Sequence, residues 1–359
     1  MNLHFVVPGD PQTLTGGYLY DRRIVEGLPA CGVPVRLHAL PDGFPDADAA
    51  MLRAADALLR SLPDASVVVV DGLAFGAMPW VARTHAQRLK LVSLVHHPLS
   101  FETGLAPARA RWLADSERDA LACARKVIVP SRATAQALAA PGPFGVPAGR
   151  IAVVEPGTDP APYAGGSAGR PSAADGAGLS LLCVATLTPR KGHLQLLDAL
   201  WRVRDRRWTL HCVGSAMRDP SHARAVAARI EALALAERVT IEGELDRASL
   251  DRHLAQADAF VLASVYEGYG MAFAEALARG LPVIGTRVGA IAQTVPACAG
   301  LLVQPGDVDA LAAALARFLD DPALRRRLAE GALRARTRLP DWPSSCRRFA
   351  RVVRAVAHS

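Results

Sequence analysis

The chain has 359 residues, too many for one ordinary hydrophobic core and about right for two domains of roughly 150 to 200 residues each. Apolar residues make up 51% and charged residues 21%, a globular composition that excludes a disordered or fibrous protein. The formal charge of +7 raises nucleic acid and anionic membrane as partners, but its location matters: residues 1–160 hold 15 basic and 15 acidic side chains, whereas residues 320–359 hold ten arginines against four acids.

The excess is therefore a basic C-terminal tail. It lacks the aromatic interleaving of single-strand binders, so no nucleic-acid partner is expected. Six cysteines lie far apart with no CxxC pair, which argues against a zinc site or a disulfide framework. Cys183 and Cys212 fall in apolar strand-like runs and read as buried thiols of a reducing compartment. The N-terminal MNLHFVVPGD has neither a basic n-region nor a long apolar core, so a cytoplasmic location is expected. No apolar run reaches the roughly 18 residues that a membrane span needs.

In the first half, strands are predicted at 3–7, 33–39, 66–70, 91–95, 126–129 and 151–154. Helices are predicted near 18–30, 46–62, 76–88, 107–124 and 131–140. The four valines at 67–70 are apolar on both faces, which suits a parallel sheet covered by helices. After the first strand, a polar loop with the pair Gly16-Gly17 opens a helix, and backbone approach to a ligand wants such glycines. The pattern is not GxGxxG, so a dinucleotide fingerprint is absent. Tyr18, Asp21 and Arg22 follow, where ligand contact and turn or capping duty explain them equally well. The strand at 91–95 ends in His96 and His97, with Glu102 in the non-periodic loop beyond.

In the second half, strands are predicted at 179–184, 208–213, 239–242, 259–263, 282–286 and 300–303. Helices are predicted near 192–204, 220–236, 246–256, 271–279 and 308–319. The whole is α/β twice over, two doubly wound domains. We expect an N-terminal domain over 1–160, a linker or loop over 161–178 containing GGSAGRPSAADGAG, a C-terminal domain over 179–340 and a terminal helix over 341–359. Ligands of open α/β sheets bind beyond the carboxyl ends of the strands, which makes a cleft between two such domains the natural site.

Two stretches of the second half carry the chemistry. In Thr186-Leu-Thr-Pro-Arg190-Lys191-Gly192 a strand has ended and paired cations precede a helix. Arg offers a fork and Lys a point charge, a combination suited to a diphosphate leaving group. In Ser264-Val-Tyr-Glu267-Gly268-Tyr269-Gly270-Met271-Ala-Phe-Ala-Glu275, a buried strand gives way to a glycine loop and a helix start near Met271. Such a helix N-terminus suits phosphate. Glu267 and Glu275 can each accept hydroxyl protons from a sugar or a ribose. Phosphate flanked by two hydroxyl-bearing groups describes a nucleotide sugar.

Glu267 and Glu275, inside EGYGMAFAEALARGLPVI, resemble the E-x7-E motif of retaining glycosyltransferases of the GT-B fold, and the whole chain resembles glycosyltransferase family 4. The resemblance runs from about residue 3 to 357, dense in the second half and sparse in the first. It implies two Rossmann-like doubly wound parallel-sheet domains facing across a cleft, with a C-terminal helix crossing back to the N-terminal domain. It gives Glu267 the transferred sugar's hydroxyls and Glu275 the ribose. Lys191 matches the lysine of the family's cationic loop. The motif arginine is replaced by Thr186, so Arg190 is the candidate second cation. His96 matches a histidine near the donor sugar, while His97 falls where many members have Asp. Gly16 and Gly17 match a loop that reaches the donor phosphates or the acceptor.

Gly214, Gly243 and Glu244 end successive strands and are candidates for lining the base pocket. His97, Glu102, Tyr18, Asp21 and Arg22 are candidates for the acceptor side. The resemblance implies no metal and no cofactor, which sets aside a His96, His97, Glu102 metal reading. The expected donor is a UDP-, GDP- or ADP-sugar, and the acceptor is not legible. The Arg-rich tail (325–327, 334–338 and 347–354) also suits peripheral contact with an anionic membrane at its inner face. Rival readings on the same scaffold are a sugar-nucleotide epimerase or hydrolase and a degenerate nucleotide-sugar binder.

Overall fold

The computed structural model of the protein describes residues 3–166 and 178–359. Most of the stretch expected as a linker, residues 167–177, lies outside the described residues. The chain forms two compact units, one of Met1–Gly157 with Pro340–Ser359 and one of Thr158–Leu339.

The first unit is built on strands β1 (Leu3–Pro8), β2 (Val35–Leu40), β3 (Val67–Asp71), β4 (Lys90–Leu94), β5 (Lys126–Val129) and β6 (Ile151–Val153). They form one parallel sheet in the order β2-β1-β3-β4-β5-β6. All six residues of β1 and all five of β3 are buried, as a sheet covered on both faces requires. Helices α1 (Gly16–Gly27), α2 (Ala49–Ser61), α3 (Gly72–Phe75), α4 (Pro79–His85), α5 (Pro107–Cys123) and α6 (Arg132–Ala139) connect the strands. Their starts follow capping chemistry. Thr15, Asp48, Asp71 and Ser131 each accept a backbone N–H of the first turn, and α4 and α5 open with proline.

The second unit repeats the scheme with β7 (Leu179–Val184), β8 (Trp208–Val213), β9 (Val239–Gly243), β10 (Ala259–Leu262), β11 (Val283–Thr286) and β12 (Gly300–Val303). Its parallel sheet runs β12-β11-β10-β7-β8-β9. The helices are α7 (His193–Arg202), α8 (Pro220–Ala232), α9 (Arg247–Gln256), α10 (Met271–Ala278), α11 (Ile291–Thr294), α12 (Val308–Asp320) and α13 (Pro322–Arg336). Cys183 and Cys212 are register partners in β7 and β8, both buried and both free thiols.

One expectation needs correction. Residues 325–327 and 334–336, read as part of a basic tail, belong to α13, which packs on α10 and α12. Its arginines sit on the outer side of a helix that buries Leu324, Leu328, Ala332 and Ala335. Gly331 lies in the middle of this helix because a Cβ there would stand 1.7 Å from the Cys298 carbonyl oxygen.

The last helix, α14 (Trp342–His358), returns to the first unit and packs on α1. Ser345 donates to the Glu155 carbonyl at 2.7 Å, and the Phe5 and Phe349 rings stack at 6.2 Å. Among the described residues no helix is long and apolar enough to cross a membrane.

Each sheet reverses its direction of growth once, between β1 and β3 in the first and between β7 and β10 in the second. Loops leaving neighbouring strands at such a point diverge and leave a crevice.

Candidate active site

In the second unit the crevice is formed by the loops after β7 and β10. The first loop ends in a turn over Pro189–Lys191, and Gly192 then starts α7 with φ +69°. A Cβ on Gly192 would meet the Ala263 carbonyl oxygen at 1.9 Å, so only glycine lets the two loops lie this close. Val265 N–H donates to the Arg190 carbonyl at 2.8 Å and ties the loops together.

This contact sets Lys191 against Glu267. Lys191 Nζ donates to Glu267 Oε1 at 2.6 Å, and Ser264 Oγ donates to the same oxygen at 2.7 Å. Arg190 Nη1 lies 3.9 Å from Glu267 Oε2 and donates to the Tyr266 carbonyl at 3.0 Å. Glu267 is only 6% exposed. Burial pushes its carboxyl up, but the Lys191 and Arg190 charges and the hydrogen bonds from Lys191 and Ser264 outweigh burial and hold it below its usual value.

Beyond Glu267 the chain passes through Gly268 and the buried Tyr269 to Gly270, the N-cap of α10 with φ +85°. Among the described residues no side chain caps this helix, and its positive end carries the backbone amides of Met271 and Ala272, while Phe273 N–H turns back to the Gly270 carbonyl at 3.0 Å. Glu275 lies one turn further along. Burial raises its carboxyl pKa, opposed by Arg247 and Arg279, with Arg247 Nη1 3.8 Å from Glu275 Oε2. The ends of β8 and β9 complete this side. Gly214 N–H donates to the Gly243 carbonyl at 2.8 Å, and a Cβ on Gly214 would lie 2.1 Å from the Ala185 carbonyl oxygen. Gly243 has φ +71°, and Glu244 is exposed.

Sequence reasoning missed Gly289. Its Cβ would stand 2.0 Å from the Glu267 carbonyl oxygen, and the next residue, Ala290, donates its N–H to that oxygen at 3.0 Å. The turn after β11 thereby fixes the Glu267 loop from below. The sequence hint was the pair Gly289-Ala290 just past a strand.

In the first unit the crevice lies at the ends of β1, β3 and β4. His96, just past β4, sets Nε2 3.0 Å from Asp21 Oδ1 and 3.2 Å from Asp71 Oδ2. Burial would lower the His96 pKa, but Asp21 and Asp71 raise it to about 10. Burial and the neighbouring Asp71 raise Asp21 to about 7 against the pull of His96. Asp71 stays below its usual value because His96, Asp21 and the Leu73 amide outweigh its burial. A part-buried imidazolium held between two buried aspartates is the arrangement that results. The same atoms lie within 4.8 Å of one another, close enough to clasp a cation. Asp71 was not foreseen. The available signal was a lone acid ending a run of four valines.

Gly17 passes directly over His96, with a built Cβ 3.2 Å from His96 Cδ2, and Gly16 precedes it at the start of α1. Tyr18 donates its hydroxyl to the Pro8 carbonyl at 2.6 Å. Arg22 Nη1 holds the loop through the carbonyls of Pro11 at 2.6 Å and Thr13 at 3.1 Å. His97 turns to Glu102, Nε2 to Oε2 3.4 Å, while His96 faces Asp21 and Asp71. The two histidines therefore serve different clusters.

Two cationic side chains beside a buried carboxylate and a helix start, at the switch point of a parallel sheet, are groups whose chemistry suits an anionic, hydroxyl-bearing ligand. Two family models match the chain: Glycosyltransferase Family 4 over residues 2–162 and Glycosyl transferases group 1 over residues 178–321. The molecule is a glycosyltransferase. A sucrose-phosphate synthase from Thermosynechococcus elongatus shares its fold with a TM-score of 0.82 at 22% identity, covering 100% of both chains. Anabaena HepE in complex with UDP and glucose gives 0.77 at 19% identity over 99% of this chain and 100% of that one. The architecture is GT-B, and the chain belongs to glycosyltransferase family 4.

Among curated relatives, an MMP α-(1→4)-mannosyltransferase from Mycolicibacterium hassiacum is 28% identical over 84% of this chain and 73% of its own. A GDP-mannose-dependent phosphatidylinositol monomannoside mannosyltransferase from Corynebacterium glutamicum is 35% identical over 42% of this chain and 40% of its own.

Proposed function

We propose that the protein transfers a hexose from a nucleotide-diphosphate sugar to a hydroxyl acceptor with retention of anomeric configuration. The observation that carries this reading is the convergence of Lys191 and Arg190 on buried Glu267 beside the start of α10. On donor binding, the two cations and the helix end neutralise the diphosphate as its bond to the anomeric carbon breaks. The acceptor oxygen forms its bond on the same face, and its proton passes to the departing phosphate oxygen. Glu267, held as a carboxylate by its neighbours, accepts hydrogen bonds from the sugar hydroxyls. Glu275 does the same for the ribose. His96 is assigned to the transferred sugar, and Asp21 and Asp71 hold its ring in orientation and keep it charged. No metal is needed in this scheme, because protein cations take the diphosphate charge.

The mannosyltransferase relatives make GDP-mannose the first donor to try, with UDP-glucose second. The experiment is a thermal-shift panel of nucleotide sugars and free nucleoside diphosphates on wild type and Glu275→Ala. Stabilisation by one nucleotide class, lost in the variant, supports the reading. No stabilisation by any of them overturns it. Turnover unchanged by EDTA supports the metal-free scheme, and abolished turnover restored only by a divalent ion rejects it.

A further inference from the structure

The edge of the second sheet carries a cluster that the transfer chemistry does not use. His211 projects from β8 and Glu242 from β9, and His253 faces them from α9, the helix that follows β9. His211 Nδ1 lies 2.7 Å from Glu242 Oε1, and His253 Nε2 lies 3.9 Å from the same oxygen. The two imidazole centroids are 5.1 Å apart at an interplanar angle of 51°, so the rings converge on the carboxylate without stacking face to face. One ligand atom from each residue falls within a common span of 4.8 Å.

We propose that His211, Glu242 and His253 form a zinc site that clips the edge strand β9 to α9. Two imidazoles and a carboxylate are a donor set that suits zinc. Ligand atoms about 2.0–2.1 Å from a tetrahedral ion lie about 3.3 Å from one another. The observed spacings bracket that value, so small side-chain rotations bring all three into coordination. Each of the three side chains is 22% exposed. That leaves an entry path for the ion and room for water as the fourth ligand.

Of the three elements that supply the ligands, β9 and α9 are joined by a short turn, while α8 lies between β8 and β9. Coordination therefore fixes the 243–246 turn at both ends, with Asp246 already capping α9 through the Ser249 amide at 2.7 Å. α9 also presents Arg247 to Glu275 and Asp251 to Arg279. The ion would stiffen the helix that supplies these partners and take no part in bond breaking.

The test titrates zinc, and cobalt as a spectroscopic stand-in, into the metal-free full chain. Wild type is compared with the double variant His211→Ala/His253→Ala and with the gentler Glu242→Gln. The expected result is one zinc per chain and a rise in Tm of about 5–10 °C at zinc 100-fold above its Kd. Cobalt should give the intense visible bands of a tetrahedral nitrogen–oxygen site with no thiolate charge-transfer band. Both effects should vanish in the double variant and weaken in Glu242→Gln. Undiminished zinc binding by the double variant would overturn the proposal, as would a thiolate band or binding lost only in Asp71→Asn. Each of these places the ion at other residues.

Discussion

Lys191 Nζ and Glu267 Oε1 stand 2.6 Å apart although 76 positions separate the residues in sequence. They meet because β7 and β10 are neighbours in the sheet, so the loops leaving them emerge side by side. The pair has two consequences. It keeps a buried carboxylate charged, and it holds a cation ready at the start of α10.

Lys191→Ala should therefore lose both rate and stability. Removing a cation that neutralises a developing leaving-group charge costs about 10²–10³-fold in kcat. It also leaves Glu267 buried with weaker compensation, so Tm should fall. Lys191→Arg should recover most of the Tm and only part of the rate, since a planar fork replaces a point charge. Steady-state kinetics and melting curves check both, and an alanine variant within threefold of wild-type kcat rejects the assignment.

The His96 imidazole should stay protonated beyond pH 8, because Asp21 and Asp71 both bind its Nε2–H and raise its pKa to about 10. Such a raised group stabilises the fold fully below its unfolded value near 6.5, and the contribution is lost as pH climbs through about 10. Asp71→Asn should move the imidazole titration to markedly lower pH. Proton NMR of the His96 ring reads this directly, and an unchanged midpoint would remove Asp71 from the clamp.

Glu117 offers a separate pH test. Its side chain is wholly buried, Oε2 accepts the Leu99 N–H at 2.9 Å, and burial raises its pKa to about 8. The unfolded chain ionises it near 4.5, so between 4.5 and 8 the folded state binds the extra proton and stability falls as pH rises. Glu117→Gln keeps the acceptor and removes the titration. Its advantage over wild type should grow from pH 5 to pH 8 and reach the order of a few kcal/mol. Denaturant melts across that range decide it, with a constant difference counting against burial as the cause.

Glycine-to-alanine exchanges should act in opposite directions at two sites. Gly149 faces open space, so Gly149→Ala should be neutral or slightly stabilising. Gly331 lies mid-helix, where alanine ordinarily gains about 1 kcal/mol, yet its Cβ would stand 1.7 Å from the Cys298 carbonyl oxygen. Gly331→Ala should lower Tm by several degrees, and a raised Tm would show that α13 does not pack this tightly.

Much of this was readable in the sequence. All twelve strands were legible, the central ones because buried parallel strands are short apolar runs with sharp ends, as at 67–71 and 259–262. The loop residues 190–191 and 264–275 were legible because cations, glycines and carboxylates in that order have few structural uses. Helix α13 was not, since its six charged residues mask four buried apolar positions. Asp71 and Gly289 were not, because each matters through a neighbour distant in sequence: His96 for one, the Glu267 carbonyl for the other.

The return of α14 to the first unit imposes an order of assembly. Residues 158–339 are continuous, so their unit can close once residue 339 has been made. The unit begun first cannot. Phe5 waits for Phe349, and the Glu155 carbonyl waits for Ser345. During synthesis the unit begun first is the last to receive all of its elements. Until then the side of α1 that α14 covers stands open to chaperones and to aggregation, while the later-begun unit already has all of its residues.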